Sequence, residues 1–221
     1  LTTRASAWEL ADTLGLPVLL VVQPKGVSVT LAAQIQGLVH FRKNSHLAGI
    51  LLNNCSEKLY NMLKPLLEAE TGLPVRALIR PRFGDFCYDR YELAQMAECA
   101  AELVAAGADG IVTGVLTPAG ALDLDALRPI YAAARQAAEK AHRTVDCTLH
   151  RAFDVCCDPF AALEAAKQLG LATILTSGQA ASAPQGAALL RQLVNAAGQE
   201  VEILVGAGVS AANIPALAAQ P

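Results

Sequence analysis

Residues 79–88 read Ile79-Arg80-Pro81-Arg82-Phe83-Gly84-Asp85-Phe86-Cys87-Tyr88, and their placement decides the fold. The segment closes an apolar run of strand period and packs two guanidiniums, a carboxylate and a turn glycine into one loop. A guanidinium pair where a strand hands over to its loop could grip a carboxylate or phosphate bidentately. The competing reading is an Arg-Asp pair that only holds the loop in shape.

Outward from this loop in both directions, short β-rich runs alternate with longer, alanine-rich helical patterns. That alternation predicts βα units around a parallel sheet. The predicted strands are Leu16 to Val22, Leu47 to Asn53, Pro74 to Arg80, Asp109 to Leu116, Thr144 to His150, Ala172 to Ser177 and Val201 to Val205. Helices are predicted over Val29 to Phe41, Glu57 to Glu70, Asp89 to Ala106, Leu124 to Ala141, Pro159 to Leu169, Pro184 to Ala197 and Ala211 to Ala218, after a leading helix near Arg4 to Thr13. Asp158-Pro159 caps and starts a helix, and Gly72, Gly107 and Gly170 stand where helices end in a left-handed turn. The class is α/β, a TIM-barrel-like (βα) barrel left incomplete at seven strands plus a leading helix. Residues 1–221 form one barrel-like domain in this reading, and either the barrel closes with seven strands or its unpaired edges favour association with another copy.

Composition narrows the function classes. The 221 residues are 53% hydrophobic and 17% charged with a formal charge of −3, which supplies a sizeable core and excludes disorder. No basic block with interleaved aromatics is present, so nucleic acid is not an expected partner. The apolar run from Leu14 to Val22 is too short to span a bilayer. With no export signal at its start, the chain reads as cytoplasmic. The six cysteines form no C-x-x-C pair and read as reduced thiols in or near the core.

Strand phase carries the reading into the barrel. One alternating set in the third, fifth and seventh strands is apolar (Val75, Ala77, Ile79; Val145, Cys147, Leu149; Val201, Ile203, Val205) and suits a face covered by helices. The other set points inward. It predicts a lower layer of Arg76, Asp146 and Glu202, whose charges satisfy one another, and an upper layer of Arg80, His150 and Gly206 at the carboxyl ends, where barrels place their chemistry.

At that upper end His150 is the one histidine at a strand terminus, with Asp154 in position to orient its imidazole as a general acid or base. A buried histidine satisfied by Asp154 or a carbonyl is the alternative. His150, Asp154 and Asp85 form the candidate catalytic set. Arg80, Arg82, Ser177, Gln179, Gly206 and Gly208 form the candidate ligand-binding set, with the N–H groups of Gly206-Ala207-Gly208 free at the mouth beside the seventh strand. The expected ligand is a small anion.

From Pro74 onward the chain resembles the CutC copper-homeostasis family. The motifs are Ile79-Arg80-Pro81-Arg82 with Gly84-Asp85-Phe86-Cys87-Tyr88, Gly107-Ala108-Asp109-Gly110, Gly114-Val115-Leu116-Thr117-Pro118, His150-Arg151-Ala152-Phe153-Asp154, Leu175-Thr176-Ser177-Gly178-Gln179-Ala180 and Gly206-Ala207-Gly208-Val209. The resemblance implies a cytoplasmic (βα)8-type barrel with a role in copper handling and metal binding. Copper rests on that resemblance alone, because Cu(I) favours clustered thiolates and thioethers and the cysteines lie on separate predicted elements. No metal ligands are assigned.

Residues 1–74 resemble a different family, the cobyrinic acid a,c-diamide synthases of cobalamin biosynthesis. Thr3-Arg4-Ala5-Ser6-Ala7, the run Leu14 to Val22, and Ala48-Gly49-Ile50-Leu51-Leu52-Asn53 carry this likeness. The chain has no G-x-x-x-x-G-K-[ST] loop, so ATP is not expected to bind. The join near Thr71-Gly72-Leu73-Pro74 predicts a recombined or designed chimera, or a joined gene fragment, with a borrowed βαβα segment standing in for the first two units. A missing initiator methionine, an abrupt end at Pro221 and the lack of an eighth strand fit that expectation. A fragment of the ATP-dependent synthase and an inactive chimeric scaffold are the alternatives to a CutC-like function.

Overall fold

The computed structural model describes residues 7–24, 29–40, 44–53, 55–210, 213 and 217. Its elements follow in the order α1 (Ala7–Leu14), β1 (Val18–Val22), α2 (Val29–His40), β2 (Leu47–Leu52), α3 (Glu57–Thr71), β3 (Val75–Leu78), α4 (Arg90–Ala105), β4 (Gly110–Thr113), α5 (Leu124–Lys140), β5 (Asp146–Leu149), a 3-10 turn (Arg151–Val155), α6 (Pro159–Gln168), β6 (Thr173–Thr176), α7 (Ala187–Ala197) and β7 (Glu202–Val205). All seven predicted strands form, each shorter than predicted, β2 and β7 by a single residue. The helix predicted over 211–218 lies outside the described residues apart from 213 and 217.

The seven strands make one sheet in sequential order, each parallel to its neighbour, and the sheet curls into a half-barrel. No pairing joins β1 to β7 among the described residues. Parallel neighbours need a crossover, and the helices supply it on the outer face.

Local sequence starts and stops the helices that matter for the site. Asp89 caps α4 in a reciprocal arrangement, accepting from Tyr91 and Glu92 backbone N–H while the Glu92 carboxylate accepts from the Asp89 N–H. Asp158 accepts from the N–H groups of Phe160 and Ala161, and Pro159 follows as the first helical residue. Arg135 of α5 caps the end of α6, donating to the carbonyls of Leu169 and Gly170 at 2.7 and 2.8 Å.

The main core lies between the sheet's outer face and the helices. Val75, Ala77, Ile79, Ile111, Cys147, Leu149 and Ile174 contribute to it from the strands, as their phase requires. Tyr131 of α5 is fully buried there, and its hydroxyl reaches the carbonyls of Thr113 and Thr148 at 3.4 and 3.3 Å. Val205 departs from its predicted place on this covered face, because it is 38% exposed.

The inner face obeys the predicted phase with two corrections of layer, since Gly206 lies beyond the level of His150, which Leu204 shares through Leu175, and Glu202 is displaced in the same way. In the lower layer Arg76 pairs with Asp146 at 2.5 Å, but Glu202 makes no ion pair with either. The reason is register: Arg76 and Asp146 both lie level with Gly110, whereas Glu202 is level with Thr173 and Thr148. Gly110 is what brings the first two together. A Cβ there would stand 2.9 Å from Arg76 Cγ and 3.0 Å from the Asp146 carbonyl oxygen.

Candidate functional site

The same device recurs one step up the barrel. Arg80 lies beyond the pairing of Leu78 with Val112, and His150 just beyond that of Leu149 with Thr113, so both reach the level of Gly114. A Cβ on Gly114 would come within 2.7 Å of His150 Nδ1. The glycine leaves the space in which the imidazole sits.

His150 is 5% exposed. Its Nδ1 accepts the backbone N–H of Ala152 at 3.2 Å, which places the proton of the neutral ring on Nε2. That Nε2 is buried and has no hydrogen-bond partner. Burial pushes the His150 pKa down to about 4, and the nearby Arg80 cation adds to the effect. The ring is therefore neutral near pH 7 and presents a donor.

Arg80 is held by aromatic faces rather than by a carboxylate. Its guanidinium lies 4.4 Å from the Phe86 ring centroid and 5.4 Å from that of Phe83, and Phe86 in turn tilts against His150 at 5.0 Å. A long bond of 3.5 Å joins Arg80 Nη2 to the Gly84 carbonyl, while Nε is buried without a partner. Tyr88 lies beside this cation with no acceptor for its buried hydroxyl; burial raises its pKa, and the adjacent Arg80 guanidinium opposes the rise. Arg80, Tyr88 and His150 thus bring donor atoms with no acceptor to one region of the mouth.

Arg82 and Asp85 have a different use. Arg82 donates through Nε to Glu92 at 2.6 Å, through Nη2 to the Cys87 carbonyl at 2.5 Å and through Nη1 to the Phe83 carbonyl at 3.3 Å. Asp85 accepts the Cys87 N–H at 3.0 Å and stands 3.5 Å from Arg82. These two fasten the loop, so the pair of guanidiniums divides between a staple and a free donor.

Asp154 does not orient the imidazole. Its Oδ1 accepts from the Thr176 hydroxyl at 2.5 Å and from the N–H groups of Ser177 and Gln179 at 2.8 and 3.3 Å, while Oδ2 takes Arg151 Nε at 2.7 Å. Burial would raise its pKa, yet the hydrogen bonds from Thr176, Arg151 and Ser177 outweigh it and hold the carboxyl below its ordinary value. The backbone N–H groups of Ser177 and Gln179, two of the candidate ligand-binding residues, are thus taken up from within the chain.

The remaining predicted residues are also spoken for. The Ser177 hydroxyl donates to the Ala180 carbonyl at 2.7 Å and accepts from Arg151 at 3.2 Å. Gln179 Nε2 donates to the carbonyls of Cys156 and Phe153 at 2.7 and 3.3 Å. The Gly206 N–H, expected free, donates to the Thr176 carbonyl at 2.9 Å as a continuation of the β6–β7 ladder. Gly208 has φ +69, and a Cβ there would meet Ser182 Cβ at 2.9 Å. The sequence reading leaves Tyr88 and Gly114 out of the candidate site, although both stand in its motifs.

The arrangement can be set beside known proteins. The CutC family model matches residues 59–221. The chain belongs to the CutC family. A family protein CutC of Xanthomonas campestris pv. campestris (strain 8004) is 44% identical over 147 residues, covering 66% of this chain and 58% of that one. Its counterpart in Klebsiella pneumoniae (strain 342) is 44% identical over 158 residues, covering 72% and 60%. The chain therefore spans about three fifths of the length of these curated relatives. A solved CutC structure from Streptococcus agalactiae, named for copper homeostasis, shares the fold at a TM-score of 0.76 and 22% identity, covering 93% of this chain and 94% of that one. The family match begins inside α3 rather than at β3, earlier than the motifs alone placed it. The cobyrinate-synthase likeness expected over residues 1–74 finds no support: the family match already covers residues 59–74, and the structural likeness reaches most of those before them. No helix among the described residues is long and apolar enough to cross a membrane.

Proposed function

We propose that this CutC-family chain takes the copper-homeostasis role in its relative's name by binding a small oxyanion, a carboxylate or a phosphate, at Arg80, Tyr88 and His150. The observation that carries this reading is the pair of buried donors without acceptors, Arg80 Nε and His150 Nε2. A buried donor left unpaired costs about 1–3 kcal/mol, so an acceptor arriving there relieves a standing penalty. Phe83 and Phe86 hold the guanidinium plane ready, which lowers the ordering cost of binding. His150 serves as a neutral donor. Asp85 and Asp154 keep the surrounding loops in place.

A copper site built from one chain fits the residues poorly. No group of three or more metal-ligating side chains occurs among the described residues. Burial pushes the thiols of Cys55, Cys147 and Cys156 up to about 11, whereas Cu(I) is held by thiolates. We therefore assign the copper role to a ligand carried at the mouth, in a cytoplasmic protein whose open edges β1 and β7 pair with a second copy.

Melting of the full chain with phosphate, small carboxylates and Cu(I) tests the reading. The expected result is a saturable rise in Tm with an anion, abolished in Arg80→Met. A chain that melts cooperatively and responds to none of these is the inert scaffold. Saturable ATP binding would favour the cobyrinate-synthase alternative, which the missing phosphate loop otherwise opposes.

A further inference from the structure

Barrel interiors are normally filled by layers of large branched side chains. In this sheet the lower interior is not. Gly110 and the threonines of β5 and β6 supply little volume, and a cavity of about 190 Å³ remains between the inner faces of all seven strands. At ~30 Å³ per water the space equals about six waters, the size of a small organic molecule.

Its walls combine two kinds of surface. Leu51 and Val112, 3% and 1% exposed, lie on it away from the helix-side core, with Leu175 and Leu204 beside them. The polar groups are Arg76, Thr148, Thr173 and Glu202. Arg76 gives Nη2 to Asp146, but its Nε is buried and unpartnered. The hydroxyls of the buried Thr148 and Thr173 make no hydrogen bond among the described residues. Glu202 is exposed at the rim, without an ion pair among the described residues.

We propose that this cavity is a second binding site, separate from the mouth, for a small aliphatic amino acid. Each part of such a molecule meets a matching wall. The alkyl group packs on Leu51, Val112, Leu175 and Leu204. The carboxylate accepts from Arg76 Nε and a threonine hydroxyl, and the ammonium faces Glu202. Arg76 and Asp146 offset each other, so Glu202 gives the cavity a net negative charge that a carboxylate alone would oppose. A zwitterion satisfies both ends, with opposite charges stabilised by direct hydrogen bonds.

The experiment is isothermal titration of the full chain with L-leucine, isovalerate and isopentylamine, paired with NOE measurement on the unmodified protein. Leucine should bind saturably and at least tenfold more tightly than either single-ended analogue, with NOEs from its methyls to Leu51 and Val112. Glu202→Gln should weaken it about tenfold, and Thr173→Val by less. His150→Gln at the mouth should leave it unchanged, which separates this site from the anion site. No saturable leucine binding, equal binding of isovalerate or isopentylamine, or NOEs to residues outside the cavity would each overturn the proposal.

Discussion

Gly114 lies directly beneath the imidazole of His150: a Cβ at that position would stand 2.7 Å from Nδ1 and 2.8 Å from Cε1. The Ala152 N–H binds the same Nδ1, so a methyl there would press on both the ring and the hydrogen bond that fixes it. Gly114→Ala should therefore cost about 1–3 kcal/mol, the usual penalty of overpacking a filled site. Urea denaturation measures the loss, and the anion-dependent rise in Tm should disappear with it. An unchanged midpoint would mean that the imidazole moves freely.

His150 also sets a pH dependence. Its folded pKa is about 4, against 6.5 for the ordinary side chain, so the unfolded chain binds more protons between those values. Stability should then be fully present above about pH 6.5 and fall as the pH drops towards 4, by a few kcal/mol at ~1.4 kcal/mol per unit. Denaturation at pH 7, 5.5 and 4.5 reads the slope, and His150→Gln should flatten it. Asp154 acts in a different window, because its lowered carboxyl supports the fold above its unfolded pKa of about 3.8 and loses that support only as pH falls further.

Asp154→Asn should loosen the turn after β6. The carboxylate oxygen that receives Thr176, Ser177 and Gln179 would become an amide with one acceptor and two donors facing donors. A loss of about 2–4 kcal/mol follows from breaking a charge-assisted, half-buried network. Faster amide exchange at Ser177 and Gln179 is the local readout.

The two arginines of the mouth loop should separate cleanly. Arg82→Met removes the bonds to Glu92 and Cys87 and should increase proteolytic cleavage of residues 82–88 while leaving the anion response in place. Arg80→Met should abolish the response and leave cleavage unchanged. The opposite pattern would assign ligand binding to Arg82.

Much of this was written in local sequence. The alternation of Val75, Ala77 and Ile79 against Arg76, Leu78 and Arg80 is a period of two, and it alone assigns these residues to the outer core and the inner face. What stayed hidden depends on partners far along the chain. Arg80 and Arg82 look equivalent in sequence, and it is Glu92 in the first turn of α4, with the Cys87 carbonyl, that makes one of them a staple. Asp154 sits four residues after His150, yet its partners lie 22 to 25 residues further on, at Thr176, Ser177 and Gln179. Glu202 carries the right charge for Arg76, but strand stagger sets it at another level.

Among the described residues every strand in the sheet is hydrogen-bonded only to its neighbours in sequence, and the row ends at β1 and β7. Breathing of the backbone should consequently begin at the two margins and travel inward, because a terminal strand can peel off after losing one ladder while a middle strand must lose two. Deuterium uptake would then form a gradient along the chain, slowest at Ile111 and Cys147, where Tyr131 also ties adjacent strands together, and fastest at Val21 and Val205.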